Sequence, residues 1–419
     1  MNHQPKNKPN IFKHNGISYL IPFVLITSLF LIWGVSHALL DVLNKHFQNV
    51  LHVSKMESGY IQAAMYGGYF IAALPAGILM QKIGFRKSIM VGLFVVASGA
   101  FLFFPATELQ EFWSFLIPLF VIACGLACLE TAANPYTTVL GPPESAERRI
   151  NLAQSFNAVG WIFGTMLGSA VILSSTGSGR NQFDAMAIPY IFLGGTVLIV
   201  GLFFLYVPLP ENEENPIISA KPDEKNNIPL FKRKFFVYAV IAQFFYVAAQ
   251  TGINSFFINF SVEAVPNLSD ENAGYLLAIG GMCMFFLGRL SGSFLMGRFN
   301  PVKILTLYAI INVLNMIIVV ANLGWISVIA LFITYFFMSV MFPTIFSLGI
   351  KGLGPKTKKA SSFIVMAIVG GAVCPPLMGY IADQSSMNLG FIVPLVCFGF
   401  VVAFGVVRLK GDSSKTVLQ

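Results

Sequence analysis

Long apolar runs separated by short polar connectors dominate this chain. Twelve stretches, at approximately 18–43, 59–81, 88–106, 112–138, 150–174, 187–207, 235–260, 273–296, 302–321, 325–349, 360–382 and 390–408, each approach the length a helix needs to cross a bilayer, roughly 20 residues at 1.5 Å per residue. They are continuous runs of Leu, Ile, Val, Phe, Ala and Gly without the period-two alternation of lipid-spanning strands, and a membrane admits only helices or closed barrels. The pattern therefore predicts an all-α membrane protein with twelve transmembrane helices.

Composition agrees. Of 419 residues, 56% are hydrophobic and only 11% charged, too apolar and too charge-poor for a soluble domain. The basic, polar start, MNHQPKNKPNIFKHNG, shows no small-residue cleavage site and leads into further spans, so it reads as a retained tail. With the N-terminus placed inside, 22 of the 26 Lys and Arg residues fall on one side of the membrane. Only Lys45, Lys55 and Arg180 fall on the other, and Arg289 sits within a span. Positive charge is retained on the cytoplasmic side, so both termini are expected there. The net charge of +8 then faces anionic lipid head groups and needs no nucleic-acid partner.

The longest polar stretch, PLPENEENPIISAKPDEKNNIPLFKRK, separates the sixth and seventh spans and reads as a linker. A tight basic connector recurs on the same side, GILMQKIGFRKS between spans two and three and SFLMGRFNPVKI between spans eight and nine. Such a recurrence predicts two six-helix halves related by an axis along the membrane normal, with substrate between them. The expected divisions are a tail at 1–17, a first half at 18–207, a linker at 208–234, a second half at 235–409 and a tail at 410–419.

Few charged groups remain inside the spans: Asp41, Glu130 and Arg289, with His37 as a further titratable group. An intramembrane charge is costly, which makes each a functional candidate. Glu130 lies mid-span in CLETAANP, where it reads as a proton carrier or as half of a structural ion pair. Asp41 stands near the outer end of the first span and reads as a coupling acid or as an interfacial charge, because charges at span ends are cheap. Arg289 could pair an acid, clamp a sugar hydroxyl or snorkel. His37, one helical turn before Asp41, shares its face or marks the interface.

Neutral polar residues form stripes at helical spacing: Gln62, Tyr66 and Tyr69; Gln154, Asn157 and Trp161; Gln243, Tyr246, Gln250 and Asn254. Amides supply donors and acceptors, and aromatic rings pack on sugar C–H faces, so the pattern suits an uncharged polyhydroxylated ligand, although such residues also join membrane helices to one another. Gly160, Gly164 and Gly168 are assigned to close helix packing, and Pro135, Pro343, Pro375 and Pro376 to breaks within spans. The five cysteines all lie in apolar spans. Cys124 and Cys128 share a helix face without an accompanying His, so neither a disulfide framework nor a metal site is expected. No nucleophile and base pair stands out, so neither an enzyme activity nor a cofactor is expected.

GILMQKIGFRK resembles the cytoplasmic connector of major facilitator transporters, with Gln81 where an Asp is common. LLDVLNKHFQ, AGILMQKIG, GLACLETAANPYTTVLGP, NLAQSFNAVG, AQFFYVAAQT and PTIFSLGIKGLG together resemble the L-fucose/proton symporter family over nearly the whole chain. The resemblance implies the major facilitator fold, alternating access in a bacterial inner membrane, and a monomer carrying a small sugar with a proton. It implies proton coupling at the acids matching Asp41 and Glu130. From the polar residues within the spans, Glu130, Asn134, Gln154, Asn157, Gln250, Asn254 and Arg289 are the expected sugar contacts. Ser36, His37, Ala38 and Leu40 replace an asparagine-rich turn of the fucose symporters, which leaves the sugar open among fucose, glucose, galactose, N-acetylglucosamine and mannose. Sodium coupling, and a proton-driven exporter of amphipathic small molecules with a more apolar cavity, remain alternatives.

Overall fold

In the computed structural model, residues 12–14, 17–141, 146–175, 182–206, 229–296, 298–351, 353 and 356–416 are described. The tail calls before residue 12 and after residue 416, and most of the linker expected at 208–234, lie outside the described residues. Among the described residues, twelve long helices follow one another: α1 Leu20–Val50, α2 Lys55–Met80 and α3 Lys82–Leu109, α4 Phe112–Val139, α5 Ala146–Val171, α6 Gln182–Tyr206. The second six are α7 Lys234–Ala264, α8 Asp270–Met296, α9 Pro301–Val320, and α10 Trp325–Ile350, α11 Lys359–Gln384 and α12 Met387–Lys410. A two-residue antiparallel ladder, Lys13 opposite Ser18, precedes α1.

Eleven of these helices are long and apolar enough to span a membrane by length and composition. The twelfth, α5, has the length, 26 residues, and is made less apolar by Gln154 and Asn157. Large apolar side chains on the bundle's outer surface, such as Phe94, Ile117 and Phe192, stand exposed, as expected of a protein whose solvent is lipid rather than water.

Helices alternate in direction, so the bundle has a termini end, where α1 starts and α12 finishes, and a far end. At the start of α3, two residues in, the chain turns at Gly84, with φ 81° and ψ 175°, a conformation that a Cβ would disfavour. Arg86 follows immediately and donates from Nε to the Phe204 carbonyl (3.0 Å) and from Nη2 to the Leu205 carbonyl (2.6 Å). The connector's arginine thus satisfies the orphan carbonyls at the C-terminus of α6, where a cation is also favoured by the helix dipole.

α1 and α5 approach through small residues. A Cβ on Gly160 would stand 2.3 Å from the Leu31 carbonyl oxygen, one on Gly164 2.8 Å from the Ala38 Cβ, and one on Gly34 2.2 Å from the Asn157 carbonyl oxygen. Gly160, Gly164 and Gly168 of α5 therefore face α1, whose backbone and small or branched side chains occupy the space a Cβ would need.

Irregular helix collects near the middle of the second half. A π-helical stretch covers Leu277–Met282 in α8, α10 breaks between Met338 and Met341, and α11 contains a 3-10 turn at Ala367–Val369. The α10 break has a covalent cause. Pro343 lacks the N–H that would bond to the Ser339 carbonyl, and its ring clashes there. Pro135, in contrast, lies within α4 without interrupting it.

Candidate functional site

The first helix ends later than its hydropathy indicates. The apolar stretch closes near residue 43, whereas α1 continues to Val50, because Asn44, Gln48 and Asn49 find partners on the second half. Asn44 Nδ2 donates to the Ser255 carbonyl (2.6 Å), Asn259 Nδ2 donates to Gln48 Oε1 (2.6 Å), and Asn49 Nδ2 donates to Asp270 Oδ2 (2.7 Å). Asp41 therefore lies inside the bundle, 2% exposed, and the interfacial reading of this acid is corrected. Its Oδ1 accepts from Gln62 Nε2 at 2.9 Å, and its Oδ2 is buried without a partner.

One turn earlier, His37 is buried among aromatic rings. Its ring centroid lies 4.4 Å from Trp33, 5.9 Å from Tyr66, 5.8 Å from Tyr69 and 5.9 Å from Trp161, and the Trp33 indole donates to the Tyr69 hydroxyl. Its Nδ1 bonds to the Trp33 carbonyl (3.2 Å). The interfacial reading of His37 is corrected with that of Asp41. Trp33 was not singled out by its sequence, since a lone aromatic in an apolar run carries no signal.

Glu130 is buried on α4, one helical turn before Asn134, with its Oε2 buried and without a partner. A small cavity opens beside it, lined by Leu29, Phe30, Trp33, Leu129, Glu130, Ala133 and Gln154. Its free space of ≈ 20 Å³ accommodates water rather than a hexose. Tyr66 is buried on α2 against the His37 and Tyr69 rings. Counting from the helix ends at 1.5 Å per residue, Asp41 and Glu130 stand roughly 15–20 Å apart along the bundle axis, Asp41 toward the far end and Glu130 toward the termini end.

Next to Glu130 the two halves meet. Arg289 of α8 is 5% exposed, which excludes snorkelling. Among the described residues it has no carboxylate within ion-pair distance. Instead its Nε donates to the Ser339 carbonyl at 3.3 Å, the acceptor that Pro343 leaves free, and its Nη1 donates to the Gln154 carbonyl (3.0 Å) and to Gln154 Oε1 (3.2 Å). The guanidinium also lies over the Phe285 ring at 4.7 Å, a favourable placement for a desolvated cation. Gln154 Nε2 donates to Asn134 Oδ1 (3.3 Å).

The other expected contacts divide. Asn157 Nδ2 donates to the Phe30 carbonyl at 3.2 Å. Asn254, on α7, is buried with Oδ1 unpartnered, and Gln250 is half-buried one turn away. Among the described residues no hydrogen bond joins these two to the Glu130 group.

Polar contacts also close the far end. The Asp383 carboxylate of α11 accepts from the first two backbone N–H groups of α2, Lys55 (3.2 Å) and Met56 (2.9 Å). Lys55 Nζ pairs with Glu263 at 2.6 Å, and Lys45 with Asp270 at 3.6 Å. Gly379 and Gly59 permit this approach, since a Cβ on either would fall 2.4 Å from the Lys55 carbonyl or 2.6 Å from the Pro376 nitrogen. These charges sit at span ends, where sequence reading assigns them to the interface.

Twelve helices in this order, a small buried site between two six-helix halves and a basic connector repeated half a chain apart point to one transporter fold, and the family comparison decides it. Residues 19–368 match the model of the Major Facilitator Superfamily. The chain belongs to that superfamily. It is 40% identical over 407 residues to an L-fucose-proton symporter of Escherichia coli (92% of this chain, 93% of the relative) and 35% identical over 399 residues to a glucose/galactose transporter of Brucella abortus (94% and 95%). Among solved structures, this member of the superfamily superposes with a TM-score of 0.72 and 38% identity on the transporter FucP in the outward conformation, covering 93% of this chain and 99% of that one.

Proposed function

We propose that this chain carries a small neutral sugar into a bacterial cell together with a proton, by alternating access of two halves, 18–207 and 235–409, about a central site. The observation that carries this reading is the pair of buried carboxylates, each with one oxygen unpartnered, set among amides and aromatic rings in a chain similar over nearly its full length to an L-fucose-proton symporter. A buried acid without a counter-ion exchanges protons more readily than it holds a permanent charge. Asp41 and Glu130 are assigned to proton coupling. Glu130, Asn134, Gln154, Asn157, Gln250 and Asn254 are assigned to sugar binding once the halves separate, and the aromatic group around Trp33 supplies faces for sugar C–H surfaces.

The transporter is assigned to the inner membrane as a monomer with both termini cytoplasmic. That places the far end, with Asp383, at the periplasm, and the cation-rich connectors inside. No covalent step is involved, since transport requires that neither ligand move efficiently without the other.

The test is uptake of labelled L-fucose, D-glucose, D-galactose, D-mannose and N-acetylglucosamine into proteoliposomes, with the proton gradient and sodium varied independently. Proton-driven accumulation of one sugar, lost in Glu130→Gln while sugar exchange persists, is expected. Unchanged accumulation in that variant would overturn the assignment of Glu130, and no uptake of any sugar would favour export of amphipathic compounds.

A further inference from the structure

The face of α1 that carries Phe30 and Trp33 into the cavity beside Glu130 continues at helical spacing through His37, Asp41, Asn44 and Gln48. Its last two residues meet the second half, Asn44 at the Ser255 carbonyl and Gln48 at Asn259. His37 therefore stands between a cavity wall and the contacts that join the halves. A ring beside it reaches the same boundary: Tyr66 packs edge-on to the imidazole, and a Cβ on Gly371 of α11 would stand 2.7 Å from the Tyr66 ring.

The imidazole is only half satisfied. Its Nδ1 donates to the Trp33 carbonyl, one turn back, at 3.2 Å, and a carbonyl accepts only from a nitrogen that carries a hydrogen. In the neutral ring Nε2 is then a lone-pair acceptor. That nitrogen is buried without a partner, in a residue 2% exposed. Asp41, one turn on, does not answer it, since its Oδ1 accepts from Gln62 and its Oδ2 is itself unpartnered. The Trp33 indole N–H is taken by the Tyr69 hydroxyl. A buried acceptor left without a donor is unfavourable, and a ligand hydroxyl would relieve it.

We propose that His37 is a specificity-determining sugar contact: once the halves part, its Nε2 accepts a hydrogen bond from one hydroxyl of the bound sugar. This rests on the sugar-transport reading and adds to it a residue, an atom and a polarity. The four aromatic rings around His37, at centroid distances of 4.4–5.9 Å, offer faces that suit the C–H surface of any pyranose and so choose little among sugars. The imidazole does choose. A site with one buried acceptor rejects a sugar that lacks a hydroxyl in the matching place, because the acceptor is then left unpaired. An amide in its place would offer a donor as well, whereas this imidazole offers an acceptor alone.

The test is counterflow in proteoliposomes of the full-length protein, using whichever of L-fucose, D-glucose, D-galactose, D-mannose and N-acetylglucosamine it exchanges fastest. The competitors are the monodeoxy and deoxyfluoro analogues of that sugar. At one ring position the deoxy and the deoxyfluoro analogue should both compete about 5- to 100-fold more weakly than the parent, since a C–F group cannot donate to Nε2. In His37→Phe the penalty at that position should vanish while those at other positions remain. His37→Gln, which keeps an acceptor, should retain part of it. A packing role for His37 would instead weaken every competitor by one common factor. That outcome, or an unchanged set of penalties in His37→Phe, would overturn the proposal, and so would a deoxyfluoro analogue that competes as well as the parent at the position His37→Phe identifies. If His37→Phe fails to unfold cooperatively in detergent, His37→Gln and His37→Asn carry the comparison, and the penalty should fall at that one position in both. No exchange of any of these sugars by the unaltered protein would refute the sugar-transport reading itself, and this assignment with it.

Discussion

Replacing Asp383 with Asn should open the far end of the transporter. In the closed arrangement its carboxylate accepts two backbone N–H groups from the first turn of α2, at 3.2 and 2.9 Å, and so acts as a helix N-terminal cap supplied by the opposite half. The asparagine keeps one acceptor oxygen but loses the charge and one bond. A lost hydrogen bond contributes about 0.5–1.5 kcal/mol, and the lost interaction of an exposed anion with the helix N-terminus about 0.3–1 kcal/mol, reduced by solvent screening. Together these amount to about 1–2 kcal/mol, which shifts the closed-to-open ratio by about 5- to 30-fold. The assay is the rate at which a membrane-impermeant maleimide labels Ser255→Cys in right-side-out vesicles. Ser255 is buried behind the gate, and its carbonyl holds Asn44. Labelling should accelerate by that factor in Asp383→Asn and only partly in Asp383→Glu. An unchanged labelling rate in Asp383→Asn would refute the argument that this carboxylate holds the far end shut.

Glu263→Gln, which breaks the partly exposed Lys55 pair, should change the same labelling rate by less than about fivefold, with the difference disappearing at about 1 M salt. Gly160→Ala places a methyl 2.3 Å from the Leu31 carbonyl and should destabilise the bundle by about 1–3 kcal/mol, read as earlier thermal unfolding in detergent, while Gly67→Ala, which meets open space, should unfold as the unaltered protein does. Asp41→Asn retains an acceptor for Gln62 but cannot ionise, so proton-driven accumulation should be lost while counterflow exchange persists. If accumulation survives that substitution, Asp41 is structural.

The spans were legible because the bilayer imposes a length and a composition that no soluble core requires. Even α5, whose amides lower its apolarity, keeps its place through glycines at every fourth position. Glu130 was legible for a related reason: an acid in the middle of an apolar run has no cheap explanation. Asp41 stood at the edge of an apolar run, and only the continuation of α1 through polar residues to Val50 puts it inside. The partners that support that continuation lie more than 200 positions away, Asn44 with Ser255 and Gln48 with Asn259. The same distance conceals the far-end contacts of Asp383 and Glu263. Arg289 was recognised as costly but not assigned, because its acceptors are backbone and amide groups, and a carbonyl released by a proline four residues downstream leaves no mark on the residue that uses it.

The two acids stand toward opposite ends of the bundle. Asp41 lies toward the far end, on the helix whose next two turns carry Asn44, Gln48 and Asn49 to the second half, and its donor Gln62 sits on α2, whose first turn is capped by Asp383. Glu130 lies toward the termini end and shares a cavity lining with Gln154, which accepts from Arg289 of the second half. Each acid thus lies close to the contacts that join the halves at its own end. The contacts at the far end and between Arg289 and Gln154 hold the halves together in this arrangement, and the cavity beside Glu130 accommodates water rather than a hexose, so the halves must part before a sugar can enter.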